Sequence, residues 1–317
     1  MLVLKDLSIE IPGTNMHYVD IDKYSSPSDD IVLLYGYNNL HSNQLFDKIK
    51  DFKRKIYFNV TMPTEFCSDQ NIYLDNKFDE VYTICPYSVD WLNQVKGATQ
   101  YKFIWYPMDE SYIPSRQQKK YDVCYHGGIH GDKYTEMLNS LIFFNYRYMT
   151  MTHGINGLTQ QCIPFATDLD LSNEDKLERI AQCKISVCMN SFTVRGSSDL
   201  SNIKSQPNYM NNEAFTRAEE YGLCPQIKSR MNEAAACRTL NLVEEDHWNI
   251  AEKFYEPQKH FVYYNKENLS DKILEILDNW RAYEVVAEAA HEHFINNYTT
   301  EKLYNRIKNN ENDSNWI

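Results

Sequence analysis

The stretch KSRMNEAAACRTLNLV, residues 228–243, sets Arg230 and Glu233 three residues apart, ahead of a run of alanines. In a helix, residues three apart share a face. Ser229 reads as the helix N-cap, because its hydroxyl can accept from a free backbone N–H. Free N–H groups at a helix start attract phosphate. A guanidinium beside them can clamp two phosphate oxygens. Lys228 brings a second cation to the same mouth. The carboxylate of Glu233, one turn on, can accept from the two hydroxyls of a ribose. Ala234, Ala235, Ala236 and Cys237 are small enough to let the helix pack close to a strand expected at 240–243. The plainer alternative is a surface Arg–Glu pair.

Other residues carry weaker signals. HGGIHGDK, 126–133, follows the apolar run YDVCY. Gly127 and Gly128 can let backbone approach a phosphate, and Lys133 can neutralise one; a tight turn is the alternative. Asn190 and Ser191 close the run KISVCMN. At a strand's carboxyl edge they either meet a nucleotide base or cap the next helix. His126 and His130 have the i, i+4 spacing of metal ligands on a helix. The glycines between them argue against a helix, so no metal site is expected. His291 and His293 are too close in sequence for a zinc helix, and read as a solvated helix face.

The elements that must position these residues follow from short apolar runs. Strands are expected at 31–35, in RKIYFNV, in FDEVYTIC and in YKFIWYP, with helices in HSNQLFDKIKDFKRK and PYSVDWLNQV. A polar, proline-bearing segment at 108–120 reads as a linker. A second series then alternates: strand YDVCYH, helix DKYTEMLNSLIFF, strand KISVCMN, the 228–243 helix and strand, strand HFVYY, and a long helical stretch from 267. Strands separated by helices of this length predict parallel sheets, with ligands at strand carboxyl ends. The polar stretch 197–215 reads as an excursion from this pattern.

The chain has 317 residues, enough for about two domains of about 150 residues each. Its formal net charge of -12 argues against gripping nucleic acid by bulk electrostatics. KIKDFKRK, 48–55, is the one candidate for a local basic groove. No run approaches the roughly 20 apolar residues of a membrane helix. The first residues lack the pattern of a signal peptide. The eight scattered cysteines, with no CxxC pair, read as buried reduced thiols. These features predict a cytoplasmic protein.

RMNEAAAC at 230–237, followed by EKFYEPQKHFVYY at 252–264, resembles the donor-nucleotide motif of GT-B glycosyltransferases of the group 1 type. The nearest likeness is to the CgeB-like spore-protein branch. Its members carry an Arg-x-x-Glu-Ala-x-Ala-Cys helix, then Phe-Glu-Pro-Gly-Lys and an aromatic strand. KYDVCYHGG, 120–128, is similar to the first strand and glycine loop of the family's nucleotide-binding domain. FDEVYTICPYS and YKFIWYPMDESYIP resemble the end of its acceptor domain and the linker. The resemblance covers roughly residues 78–305. Three positions depart from the pattern: Arg238 and Gln258 stand where the family has glycine, and Pro225 where many relatives carry a second glutamate.

The resemblance implies an α/β fold of two Rossmann-like domains facing a cleft. Residues 1–112 would form the acceptor domain and 113–300 the nucleotide-sugar domain, with a helix in 301–317 crossing back to the first. It implies transfer of a sugar from a nucleotide diphosphate sugar to an acceptor hydroxyl, with retention and with no obligatory metal or cofactor. Arg230 and Lys228 would stabilise the leaving diphosphate, and Glu233 would hold the ribose. Gly127, Gly128, Lys133, Asn190 and Ser191 complete the expected donor site. The loop with His247, Trp248 and Asn249 would face the donor sugar; a cap by Asp246 with a packed Trp is the alternative there. Glu65 and Asn38, each after a strand of the first half, are expected on the acceptor side. The acceptor class (glycan, lipid, protein or DNA base) stays open. The alternatives are a glycosyltransferase for modified DNA bases, and a non-catalytic nucleotide or sugar binder of the same fold.

Overall fold

The apolar runs form the strands of two parallel sheets. A computed structural model describes residues 2–5, 16–18, 31–35, 50–59, 78–96, 101–105, 107–153, 156–194, 201, 204–205 and 207–309. The chain groups into two units. One comprises Met1–Pro107, Val194–Gln226 and Leu303–Ile317; the other comprises Met108–Thr193 and Ile227–Lys302.

In the first unit, strands β1 (Leu2–Lys5), β2 (Met16–Tyr18), β3 (Ile31–Tyr35), β4 (Arg54–Asn59), β5 (Glu80–Thr83) and β6 (Tyr101–Phe103) form one sheet. Their order is β2-β1-β3-β4-β5-β6, every pair parallel. Helix α1 (Pro86–Lys96) opens on a proline, whose fixed φ and missing N–H suit a first helical position. Its Trp91 meets Phe215, on the helix Glu213–Tyr221, edge to face at 5.3 Å, and Trp91 Nε1 donates to the Pro207 carbonyl at 2.9 Å. These contacts group part of the polar excursion with the first unit. In the described part of the basic run 48–55, Lys50 and Lys53 are exposed and the other two cations are paired. Arg54 pairs with Glu80, and Lys55 with Asp79 at 3.5 Å. Burial pushes the Glu80 carboxyl up, but Lys102 and Arg54 outweigh it and hold it low.

The second unit holds strands β7 (Tyr121–His126), β8 (Tyr146–Thr150), β9 (Asp168–Leu169), β10 (Cys183–Cys188), β11 (Leu240–Glu244) and β12 (Phe261–Tyr264). Their order is β12-β11-β10-β7-β8-β9, again parallel throughout. Its helices are α2 (Asp132–Leu141), α3 (Gly157–Cys162), α4 (Asn173–Ala181), α5 (Ser229–Ala236), α6 (Leu269–Asp278) and α7 (Trp280–Asn297). Side chains alternate across a strand, and a parallel sheet is covered on both faces. Val123, Tyr125, Ile185, Val187, Leu240 and Leu242 therefore pack on one face with Tyr134, Met137 and Leu138 of α2 and Ile273 and Ile276 of α6. Cys124 and Met149 pack on the other with Leu177 and Ile180 of α4, joined by Cys183 at the first position of β10.

The seven described cysteines are all buried and unbridged, as expected of thiols inside apolar runs. Strand order reverses at β7: the chain runs outward through β8 and β9, then returns to place β10 on the other side. Such a reversal is where open α/β sheets bind ligands. The histidines on α7 do not form a solvated face. His291 is buried against the Ala235 and Ala236 carbonyls at the end of α5, and His293 Nε2 lies 2.7 Å from the Phe254 carbonyl. No described helix is long and apolar enough to cross a membrane.

Candidate functional site

β7 ends at His126, and the chain turns through Gly127 at φ +122. Only glycine adopts that backbone without strain. Arg230, in the first turn of α5, uses the space. Its Nε donates to the His126 carbonyl, its Cζ lies 4.7 Å from the centre of the Tyr125 ring, and the residue is 8% exposed. Its Nη1 is buried and has no hydrogen-bond partner. A guanidinium held by ring and carbonyl, with one arm unused, is ready to receive an anion.

Glu233 lies one turn further on the same face. Its Oε2 is 3.0 Å from Nδ1 of His126, and its Oε1 is 3.1 Å from Nζ of Lys176 on α4. Burial pushes this carboxyl up; Lys176 and His126 outweigh it and hold it well below the usual carboxylate range. Burial pushes His126 down, against the pull of Glu233. The neutral ring then donates from Nδ1 to Glu233, while its Nε2 faces the Ser186 hydroxyl at 3.4 Å.

The N-terminus of α5 differs from expectation. Lys228, not Ser229, occupies the N-cap position, and no side chain caps the helix. Ser229 is its first residue and lines the cavity described below. Asn190 braces this end instead of capping another helix. Its Oδ1 accepts from Lys228 N at 3.1 Å, and its Nδ2 lies 2.9 Å from Met231 Sδ. Burial, with Arg230 nearby, brings the Lys228 pKa down to about 7.

A cavity of about 390 Å³ opens beside these groups. It is lined by Gly127, Gly128, Arg230 and Glu233, which the sequence singled out, and by Thr150, Met151, Leu171, Asn173 and Lys176, which it did not. Small-molecule sites of about 300–1,000 Å³ have this make-up, apolar walls with a few convergent polar groups. Helix α4 carried a legible signal. Ser172 caps it by accepting from Asp175 N at 3.0 Å, and Leu177 and Ile180 follow at helical spacing.

Other expected residues sit elsewhere. Lys133 bonds Ser191 Oγ at 2.6 Å and Glu244 at 2.9 Å, away from the cavity lining. His247 is exposed and Trp248 buried; Trp248 N donates to Asp246 Oδ1 at 2.8 Å, and Asn249 at φ +50 opens a short 3-10 turn. Trp248 is packed there, and no side chain caps the short 3-10 turn. Glu65 and Asn38 lie outside the described residues. His126 is committed to Glu233, and His130 contacts Asn156 at 3.2 Å. An Asp-x-Asp triplet stands at 168–170; its Asp168 pairs with Arg179 at 3.1 Å, and its Asp170 accepts from the Thr152 N–H at 2.8 Å. Among the described residues, no group of three or more His, Cys, Asp or Glu is placed to hold a metal ion.

A sequence model described as glycosyl transferase-like matches residues 170–309, which include Lys176, Arg230 and Glu233. No curated protein matches. Among solved structures, the chain is similar to TarM of S. aureus, at 14% identity and TM-score 0.52, over 90% of this chain and 55% of TarM. It thus spans about half of TarM's length. It is also similar to HepE of Anabaena, solved with UDP-glucose, at 11% identity and TM-score 0.56, over 88% of this chain and 78% of HepE. A third is an alpha-glucosyltransferase solved with UDP-glucose and DNA containing an abasic site, at 10% identity and TM-score 0.57, over 89% and 79% of the two chains. At these identities the likeness is one of fold: α/β, with the parallel sheets of GT-B glycosyltransferases.

Proposed function

We propose that this chain is a glycosyltransferase that takes a UDP-linked sugar as donor in the second-unit cavity and passes the sugar to an acceptor hydroxyl. One observation carries the reading. Arg230 is buried at the uncapped start of α5, opposite Gly127, with Nη1 unpartnered. A buried cation with an unused donor, at a helix N-terminus, favours a diphosphate. Glu233, ionised and lining the same cavity, is the acceptor for ribose hydroxyls. Fold neighbours solved with UDP and UDP-glucose support the choice of base.

In the reaction, the acceptor oxygen bonds to the anomeric carbon as the bond from that carbon to the diphosphate oxygen breaks. Charge grows on the diphosphate, where Arg230, the α5 N–H groups and Lys228 stabilise it. The departing diphosphate takes the acceptor's proton, so retention needs no side-chain base. The likeness of RMNEAAAC to the CgeB-like branch supports the same assignment. Arg238 and Gln258, which replace family glycines, do not line the cavity, so they leave catalysis open. A DNA acceptor is disfavoured by the net charge of -12 and by the ion pairing of Arg54 and Lys55.

A melting-temperature screen against UDP, GDP, CDP, TDP and their sugar conjugates tests the reading. A ligand at 100 times its dissociation constant adds about 2.7 kcal/mol. The expected result is stabilisation of the wild type by UDP species and none of Arg230→Ala. No stabilisation by any nucleotide overturns the donor site. Release of UDP from a UDP-sugar by the wild type separates an enzyme from a binder.

A further inference from the structure

The diphosphate reading leaves Lys176 unused, although it stands in the same cavity. Its ammonium is 3.1 Å from Glu233 Oε1, and its side chain is 28% exposed. Its neighbour Leu177 is buried in the core, and the Leu177 carbonyl accepts from Cys237 Sγ at 3.3 Å, next to α5. The backbone that carries Lys176 is therefore fixed against the helix that carries Glu233. The pair with Glu233 engages one N–H of the ammonium and leaves the others facing the cavity, which directs attention to what they meet there.

A vicinal diol has two hydroxyl protons to give and two oxygens that accept. Glu233 only accepts, and its other oxygen is already engaged by His126. His126 has no donor to spare, with Nδ1 on Glu233 and Nε2 at Ser186. An ammonium has three N–H groups, and Glu233 takes one of those of Lys176. We propose that Lys176 is a specificity-determining residue of this site: it donates to an oxygen of the ribose diol while Glu233 accepts the diol's protons, so the pair reads ribose and rejects deoxyribose. The proposal rests on the donor-site reading above. Discrimination follows because a deoxy analogue leaves Glu233 or Lys176 without its partner inside the cavity, and sites built to bond a hydroxyl reject analogues that lack it.

Titration calorimetry with UDP, 2′-deoxy-UDP and 3′-deoxy-UDP tests this on wild type, Lys176→Met, Lys176→Leu and Lys176→Arg. The wild type should prefer UDP to each deoxy nucleotide by about tenfold or more. Lys176→Met should lose most of that preference against one of the two, while Lys176→Arg, which keeps a cationic donor, should retain it. Lys176→Leu, which also lacks a donor, supplies the same comparison if the methionine variant is poorly folded. UDP binding with an unchanged preference in both uncharged variants overturns the role of Lys176 and leaves the donor site standing. Absence of UDP binding to the wild type overturns the donor site, and this proposal with it.

Discussion

The side chain that Gly127 lacks and the guanidinium of Arg230 claim the same space: a Cβ on Gly127 would lie 2.3 Å from Arg230 Nη2. The backbone there, at φ +122, also excludes an unstrained L side chain. Gly127→Ala should therefore act twice, costing about 1–3 kcal/mol of stability and pushing Arg230 out of the cavity. Chemical denaturation should show the first loss and UDP titration the second. Arg230→Lys keeps the charge but loses the fork, and should weaken UDP binding while leaving stability closer to wild type.

The two replaced glycines make a separate prediction. Helix α5 ends in a Schellman motif: Thr239 N donates to the Ala234 carbonyl at 2.9 Å, and Arg238 N to the Ala235 carbonyl at 3.1 Å. Arg238 takes the left-handed position of that motif, at φ +53, and Gln258 takes another at φ +63. Both are positions where glycine avoids a steric cost. Gln258→Gly should raise stability by up to about 1 kcal/mol. Arg238→Gly should gain less, because it gives up the pair with Glu288 at 3.3 Å. Urea melts of the two variants read the difference, and a destabilised Gln258→Gly would falsify the backbone account.

These positions also show what the sequence makes legible. The near-continuous apolar runs of β7, β10 and β11 announce buried parallel strands, and Arg230 and Glu233 lie on one helical face at a spacing that can be read directly. Tyr146–Thr150 is harder. No strand is expected there from the sequence, yet β8 forms and its Arg147 stacks over the Tyr121 ring at 3.9 Å. Lys176 is harder still, because it meets Glu233 57 residues away. That meeting depends on strand order reversing at β7, which no local pattern encodes. Asn190 likewise looks free at a strand end until α5 arrives to use it.

Acid should lower stability through His260. His260 is 6% exposed, stacks on His293 at 4.4 Å, and accepts from Glu256 N through Nδ1. Tyr255 and Lys259 also face it, with Glu256 the opposing charge. Burial and the His293 charge bring its pKa down from 6.5 to about 4. The unfolded chain then binds the proton more readily, so stability is whole above about pH 6.5, falls as pH drops toward 4, and is level below that. The loss is about 3 kcal/mol. Melting temperatures of wild type and His260→Phe across this range test it. The variant starts lower, having lost the Glu256 N–H acceptor, but its slope should be shallower. Equal slopes would remove His260 from the account.

The role proposed for Lys228 carries a pH dependence of its own. Burial and Arg230 leave its ammonium half-titrated near pH 7. A diphosphate bound at the start of α5 attracts the protonated form, so binding takes up a proton wherever the free lysine is neutral. Affinity for a UDP-sugar should fall as pH rises through 7, by up to about tenfold between about pH 6 and 8. The sugar conjugate is the right probe, because its esterified diphosphate does not titrate there, whereas UDP itself does. Lys228→Arg keeps the cation charged at all these values, and should flatten the profile without abolishing binding. Calorimetry on both proteins at matched ionic strength reads the two slopes. If the arginine variant follows the wild type, the pH dependence belongs to another group, and Lys228 does not face the diphosphate.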